Sequence, residues 1–250
     1  MRKIAFGQVD YRIRFERGER GLHAIGRDAS VIVVVDVLSF STAVDIAVCA
    51  GACVLAISQQ ADALKFAERR GALLAVPRSE QSAATPYSLS PNSLSALPAG
   101  ARLVLPSPNG AALIAYAREL RAPVIVAGCL RNASAVGAFV CERSNDGVIA
   151  IVAAGERWPD GTLRPALEDD LGAGAILASL NLEEASPEAV YVARGFLEAR
   201  ASIAGVIEAS MSGRELIESG YRSDVERASE YDSSRAVPLV SADGFLSDAS

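Results

Sequence analysis

A single histidine, His23, stands in 250 residues, and the four cysteines (Cys49, Cys53, Cys129 and Cys141) show no C-x-x-C pairing. One histidine supplies no multi-histidine metal centre, so His23 is assigned a surface role. The cysteines lie among apolar neighbours, which reads as buried thiols in a reducing compartment rather than a metal or redox site. No apolar run reaches the length of a membrane span, because Asp36 and Asp45 interrupt the best candidate. The opening MRKIAFGQVDYRIRF has basic residues but lacks the apolar segment of a secretory leader. A cytoplasmic protein with no membrane partner is therefore expected. Excess positive charge is also missing: a net charge of −6 and a pI near 5.0 argue against non-specific nucleic-acid binding.

Familiar catalytic strings are absent too. There is no Walker loop, and Gly172 and Gly174 lack the third glycine and preceding strand of a dinucleotide fingerprint. No G-x-S-x-G elbow occurs. Asp36 is followed by Val37 and Leu38, so the two-aspartate motif of haloacid-dehalogenase-type enzymes is missing. No cysteine is followed six residues later by arginine, which excludes tyrosine-phosphatase chemistry.

What is present is a large apolar complement. Half the residues are hydrophobic and 22% are charged, enough for a sizeable core. No linker is evident, and residues 1–250 read as one domain. The apolar excess is also compatible with a homodimer. Residues 1–30 alternate apolar positions (Ile4, Phe6, Val9, Tyr11, Ile13, Phe15) with polar ones, which predicts one or two half-exposed strands before a charged loop at 16–19.

Three modules then repeat one plan: an apolar strand, a polar turn and an alanine-rich helix. In the first, residues 31–35 form a β-branched run typical of a strand buried on both faces. Asp36 ends it, Ser39, Ser41 and Thr42 follow in the turn, residues 43–50 read as a helix, and 54–57 as the next strand. This is a βαβ pattern, and ligands gather at the carboxyl ends of such strands. Asp36 is read as functional; Ser41 and Thr42 are either ligand-facing hydroxyls or a helix N-cap. After a helix at 61–70 and a strand at 73–76, residues 77–100 form a Ser-, Pro- and Asn-rich loop with Glu80, Asn92 and Ser93 as its polar candidates.

In the second module a strand at 103–105 runs into PSPNG and a helix at 111–120, and a strand at 124–127 runs into Arg131, Asn132 and Ser134. The amides of Asn109 and Gly110 are either an anion cradle or an ordinary turn. In the third, the strand at 148–153 leads through a Trp- and Pro-containing loop (155–165) to LEDDLGAGAIL. Glu168, Asp169 and Asp170 are consecutive, and each close pair repels by about 1 kcal/mol even near water. Helical apolar spacing behind them places them at a helix N-terminus, where the dipole favours negative charge. The tail holds helices near 187–200 and 214–218 and closes with a short strand. The fold class is α/β, layered α/β/α, with a largely parallel or mixed sheet.

The chemistry on offer is a set of hard oxygen ligands, Asp36, Glu168 and Asp169 with Asp170 beside them. Amide and hydroxyl donors at Ser41, Thr42, Ser107, Asn109, Gly110 and Asn132 complete it. Carboxylates without His or Cys partners suit Mg²⁺, which prefers oxygen and shares itself with phosphate. Metal assistance suits phosphate-ester hydrolysis, whose uncatalysed rate is among the slowest known.

The blocks VVVDVLSFSTAV, LPSPNGAALI, VAGCLRNASAV, VAAGERWPDGTLRPALEDDLGAGAIL and DVERASEYDSSRAVPLV together resemble the 2-phosphosulfolactate phosphatase (ComB-like) family, collinearly over about residues 28–245. The resemblance implies an α/β fold and Mg²⁺-dependent hydrolysis of 2-phosphosulfolactate to 3-sulfolactate and phosphate, on the route to coenzyme M. It places Asp36, Asn109, Gly110, Asn132, Glu168 and Asp169 at motif positions, with Asp232 at the C-terminal one. By this reading Asp36, Glu168 and Asp169 are catalytic and hold the metal. Ser41, Thr42, Ser107, Asn109, Gly110 and Asn132 bind a small anionic phosphorylated substrate.

Ser39 and Phe40 depart from the family's D-V-L-R-A-S/T motif, Ser107 to Ala111 depart from T-x-N-G-T, and Pro91 to Leu94 depart from G-N-S-P. Serine cannot replace a guanidinium that binds an anion bidentately. Arg78, Arg131, Arg157 and Arg164 are the candidates to compensate. The alternative is a divergent homologue that binds an anionic metabolite with weak or no turnover.

Overall fold

The computed structural model describes residues 6–58 and 62–249; Ile4 and Ala61, assigned above to a strand and a helix start, lie outside them. The strands, in chain order, are β1 (Ile13–Arg17), β2 (Ala29–Val35), β3 (Cys53–Ile57), β4 (Leu73–Leu74), β5 (Arg102–Pro106), β6 (Val124–Gly128), β7 (Val148–Ala153), β8 (Glu156–Arg157), β9 (Leu163–Arg164), β10 (Pro238–Val240) and β11 (Phe245–Asp248). The helices are α1 (Gly18–Ile25), α2 (Phe40–Cys49), α3 (Ala63–Arg69), α4 (Pro91–Leu94), α5 (Gly110–Glu119), α6 (Ala133–Arg143), α7 (Leu167–Ala178), α8 (Pro187–Ala199), α9 (Ile203–Ala209), α10 (Met211–Glu218) and α11 (Arg222–Ala228).

Nine strands make one mixed sheet in the order β1-β7-β2-β6-β10-β11-β3-β5-β4. β1, β7, β2 and β6 run parallel to one another, as do β3, β5 and β4. The antiparallel pair β10–β11 joins these two blocks, pairing with β6 on one side and β3 on the other. The β-branched run of β2 has a simple cause in this arrangement. Val31, Val33 and Val35 enter a core beneath α6, α7 and α8, while Ile32 and Val34 enter the opposite core beneath α1, α2 and α5. Every position meets a hydrophobic layer, and each fully buried side chain contributes about 1.5–3 kcal/mol. Helices cover both faces, giving a layered α/β/α fold. Among the described residues no helix is long and apolar enough to cross a membrane.

Several elements differ from the sequence reading. β2 and β3 are not neighbours: β6, β10 and β11 lie between them, so 31–57 is not an adjacent βαβ unit. Local periodicity specifies element type, whereas the adjacency is decided by a hairpin two hundred residues away. The charged segment at 16–19 closes β1 and opens α1, whose Gly21, Leu22 and Ile25 are buried under the charges. Ile13 and Phe15 are fully buried, not half exposed. Helices α9 and α11 were not expected, and β8–β9 form a small hairpin within the loop at 155–165. All four cysteines are free, but only Cys129 is buried; Cys49 and Cys141 are exposed. Apolar neighbours in sequence do not bury a residue that lies on a helix's outer face.

Candidate active site

Asp36 leaves the end of β2 into the core-facing loop and is 6% exposed. Its Oδ2 accepts the amide of Gly110 at 2.8 Å, and its Oδ1 accepts the amide of Phe40 at 3.3 Å. The start of α5 thereby docks on the end of β2. Only glycine permits this approach, since a Cβ at residue 110 would lie 2.7 Å from Asp36 Oδ2 and strike the Phe40 ring. The helix start does hold an anion, but that anion is the chain's own carboxylate.

Glu168 and Asp169 occupy the first turn of α7, and each is 3% exposed. Asp169 Oδ1 accepts the amide of Val37 at 2.7 Å, and Oδ2 accepts the amide of Gly155 at 2.8 Å. Two aspartates thus tie together the ends of β2 and β7 and the starts of α5 and α7. Behind them, α7 packs closely on its surroundings. A Cβ at Gly172 would lie 2.5 Å from Val37 Cγ2, and one at Gly174 would lie 2.5 Å from the Val192 carbonyl. That contact is what the glycine pair serves.

Among the described residues, Asp36, Glu168 and Asp169 enter no ion pair, and Glu168 accepts no hydrogen bond. Burial pushes Asp36 up to about 7, two backbone amides oppose the shift, and the charges of Glu156 and Glu168 add to it. Asp169 is raised well above the usual carboxylate range, by burial first and then by Asp36 and Glu168. A nearby cation would favour the ionised form of both aspartates. Asp170 is different: both its oxygens meet the Arg17 guanidinium, at 2.7 and 2.8 Å. Among the described residues no three His, Cys, Asp or Glu side chains form a ready cage for a metal. In donor chemistry alone, buried carboxylate oxygens without a counterion are of the kind Mg²⁺ prefers.

Ser41 and Thr42 are fully buried. The Ser41 hydroxyl accepts the Asp36 amide at 2.9 Å, and Thr42 Oγ1 donates to the Val37 carbonyl at 2.8 Å. They brace the turn that carries Asp36. Neither caps α2, whose N-cap is Ser39. Ser107 is buried beside β3, its amide 2.9 Å from the Ile57 carbonyl. Asn109 Nδ2 donates to Glu156 Oε1 at 3.0 Å, which brings Glu156, a residue not singled out from sequence, to the edge of the trio. Asn132 is turned to the backbone of Cys129 and Ala236, and Asp232 accepts the amide and hydroxyl of Ser134 at the start of α6. Those two brace the end of β6 and do not contact Asp36.

The four candidate arginines part company. Arg131 pairs with Asp45 and Glu230, Arg164 reaches Ser212 at 3.1 Å, and Arg157 donates to the Gly161 carbonyl at 3.3 Å. Arg78 alone reaches the Asp36 loop, with Nη2 2.6 Å from the Ser39 hydroxyl. Two clefts flank the turn at 106–110. One, of about 370 Å³, is lined by Asn109, Glu156, Arg157, Arg20 and Thr162; the other, of about 1000 Å³, contains Arg78 and Tyr221.

A layered α/β protein whose strand-end loops converge on buried carboxylates is thereby defined. The model of the 2-phosphosulpholactate phosphatase family matches residues 21–243 of this chain. The chain belongs to that family, and membership in a family of phosphatases supports phosphatase activity. No curated protein matches it.

Proposed function

We propose that this chain is a Mg²⁺-dependent phosphoric monoester hydrolase acting on a small phosphorylated acid, with 2-phosphosulfolactate, cleaved to 3-sulfolactate and phosphate, as the first substrate to test. One observation carries the reading: Asp36, Glu168 and Asp169 are buried together with no ion pair among the described residues. Those three would hold the ion. When bound, Mg²⁺ polarises the phosphoryl group and offsets the repulsion among the carboxylates. The chain's own contribution is orientation. The amides of Val37, Gly110 and Gly155 fix the two aspartates, and Asn109 is held by Glu156 at the smaller cleft. Arg20 and Arg157 line that cleft and supply positive charge for a phosphate dianion.

The alternative, a homologue that binds an anionic metabolite with weak or no turnover, rests on Ser39 standing where the family carries arginine. Phosphate release from 2-phosphosulfolactate and a panel of small phospho-acids, with Mg²⁺ and with chelator, separates the two. The expected outcome is chelator-sensitive release that falls at least about 100-fold in Asp169→Ala, with loss of Mg²⁺ binding by calorimetry. Silence across the panel with Mg²⁺ still bound would leave the alternative standing. Unchanged Mg²⁺ affinity in Asp169→Ala would remove Asp169 from the site.

A further inference from the structure

Asp36, Glu168 and Asp169 are not among the residues that line the larger cleft. At about 1000 Å³ it is at the upper end of small-molecule sites. Its walls are mostly apolar, with Leu74, Val76, Leu89, Pro106, Pro108 and Tyr221 among them, and among the described residues Arg78 is the one cation that lines it. The guanidinium is held from three directions. Nε donates to Asp224 Oδ2 at 3.0 Å, Nη2 donates to Ser39 Oγ at 2.6 Å and to the Leu89 carbonyl at 3.4 Å, and the group lies 5.3 Å over the Tyr221 ring. Asp224 is 1% exposed and is itself fixed by the Ser90 hydroxyl at 2.5 Å.

The arginine is therefore locked in plane before any ligand arrives, which removes much of the ordering cost of binding. Nη1 is left over: among the described residues it has no acceptor. A rigid guanidinium edge with unmatched N–H groups is suited to the oxygens of an acid.

We infer that this cleft binds a small organic acid with an apolar body. Its carboxylate or sulfonate head docks on Arg78, and its body lies along Leu74, Val76, Leu89 and Pro108. A bare inorganic anion would leave the apolar walls uncovered, and an uncharged hydrocarbon would leave Nη1 unmatched. The site goes beyond the proposed phosphatase chemistry but adjoins it, since Ser39 belongs to the loop that carries Asp36. Glu80, at the exposed rim, is the one anionic side chain that lines the cleft among the described residues.

The test is calorimetric binding to the full chain without turnover, so it does not depend on phosphatase activity. The probes are 3-phenyllactate, inorganic sulfate and the uncharged 3-phenyl-1,2-propanediol. Phenyllactate is expected to bind more tightly than both controls. Arg78→Gln should weaken it at least about tenfold, the loss of one charge-assisted hydrogen bond. Ser79→Trp, which fills the cleft from an exposed lining position, should weaken it as well, and Glu80→Gln should tighten it about twofold at low salt. Because Arg78→Gln strands the buried Asp224, the pair Arg78→Gln/Asp224→Asn repeats the test without an unpaired charge. Phenyllactate that fails to bind the wild type, or binds Ser79→Trp and both Arg78 variants unchanged, overturns the assignment. Retained, Arg78-dependent binding in a protein that releases no phosphate would sink the phosphatase reading and leave the cleft intact.

Discussion

Asp36 is a carboxyl that folding pushes up to about 7 from an ordinary value of 3.8, chiefly by burial. Its protonated form is the one the folded state favours. Stability from this group is fully present below its unfolded value and is lost as the pH rises toward 7, and Asp169 acts in the same direction. Without metal, the protein is expected to melt at a lower temperature at pH 8 than at pH 5.5. Asp36→Asn should flatten that difference, and Mg²⁺ should raise the melting temperature most at pH 8. Equal melting at both pH values by scanning calorimetry would show that the trio is not under electrostatic stress. Asp36 was visible in the sequence because it ends an apolar run, and Glu168 and Asp169 because they stand in a run of three mutually repelling carboxylates. Arg78 stood out only as one of four candidate arginines and Asp224 not at all, since the two meet across 146 positions and their pairing leaves no local pattern.

At the scale of elements, the decisive contact is the start of α5 against the end of β2. Gly110→Ala places a methyl group against Asp36 Oδ2 and the Phe40 ring. The helix must then withdraw, and Asp36 loses one of its two amide donors. The expected result is a drop in phosphatase activity of at least about tenfold together with destabilisation of about 1–3 kcal/mol. Urea unfolding and phosphate release read the two effects separately; wild-type values for both would refute the close approach. Element types were largely legible: the strands read at 31–35, 103–105, 124–127 and 148–153 and the helix behind LEDD follow from burial on both faces and from helical spacing. Short helices such as α9 and α11 escaped, because seven residues give an apolar face too little length to stand out.

At the scale of the molecule, the sheet's centre comes from the far end of the chain. β10 and β11 pair with β6 and β3, so residues 238–248 join two parallel blocks that otherwise share no ladder. A chain ended at Val237 leaves both blocks with open edges over apolar cores. It is expected to lose its cooperative melting transition and to aggregate; a sharp thermal transition in that truncated chain would contradict the pairing. Strand order was the part of the fold that no local pattern could convey. The order of synthesis now matters, because ribosomes make β10 and β11 after every other strand of the sheet. Nascent chain must therefore wait, with two half-sheets formed at most, until those residues emerge. Closing the nine-stranded sheet is therefore a late step of folding, resting on contacts between residues far apart in the chain.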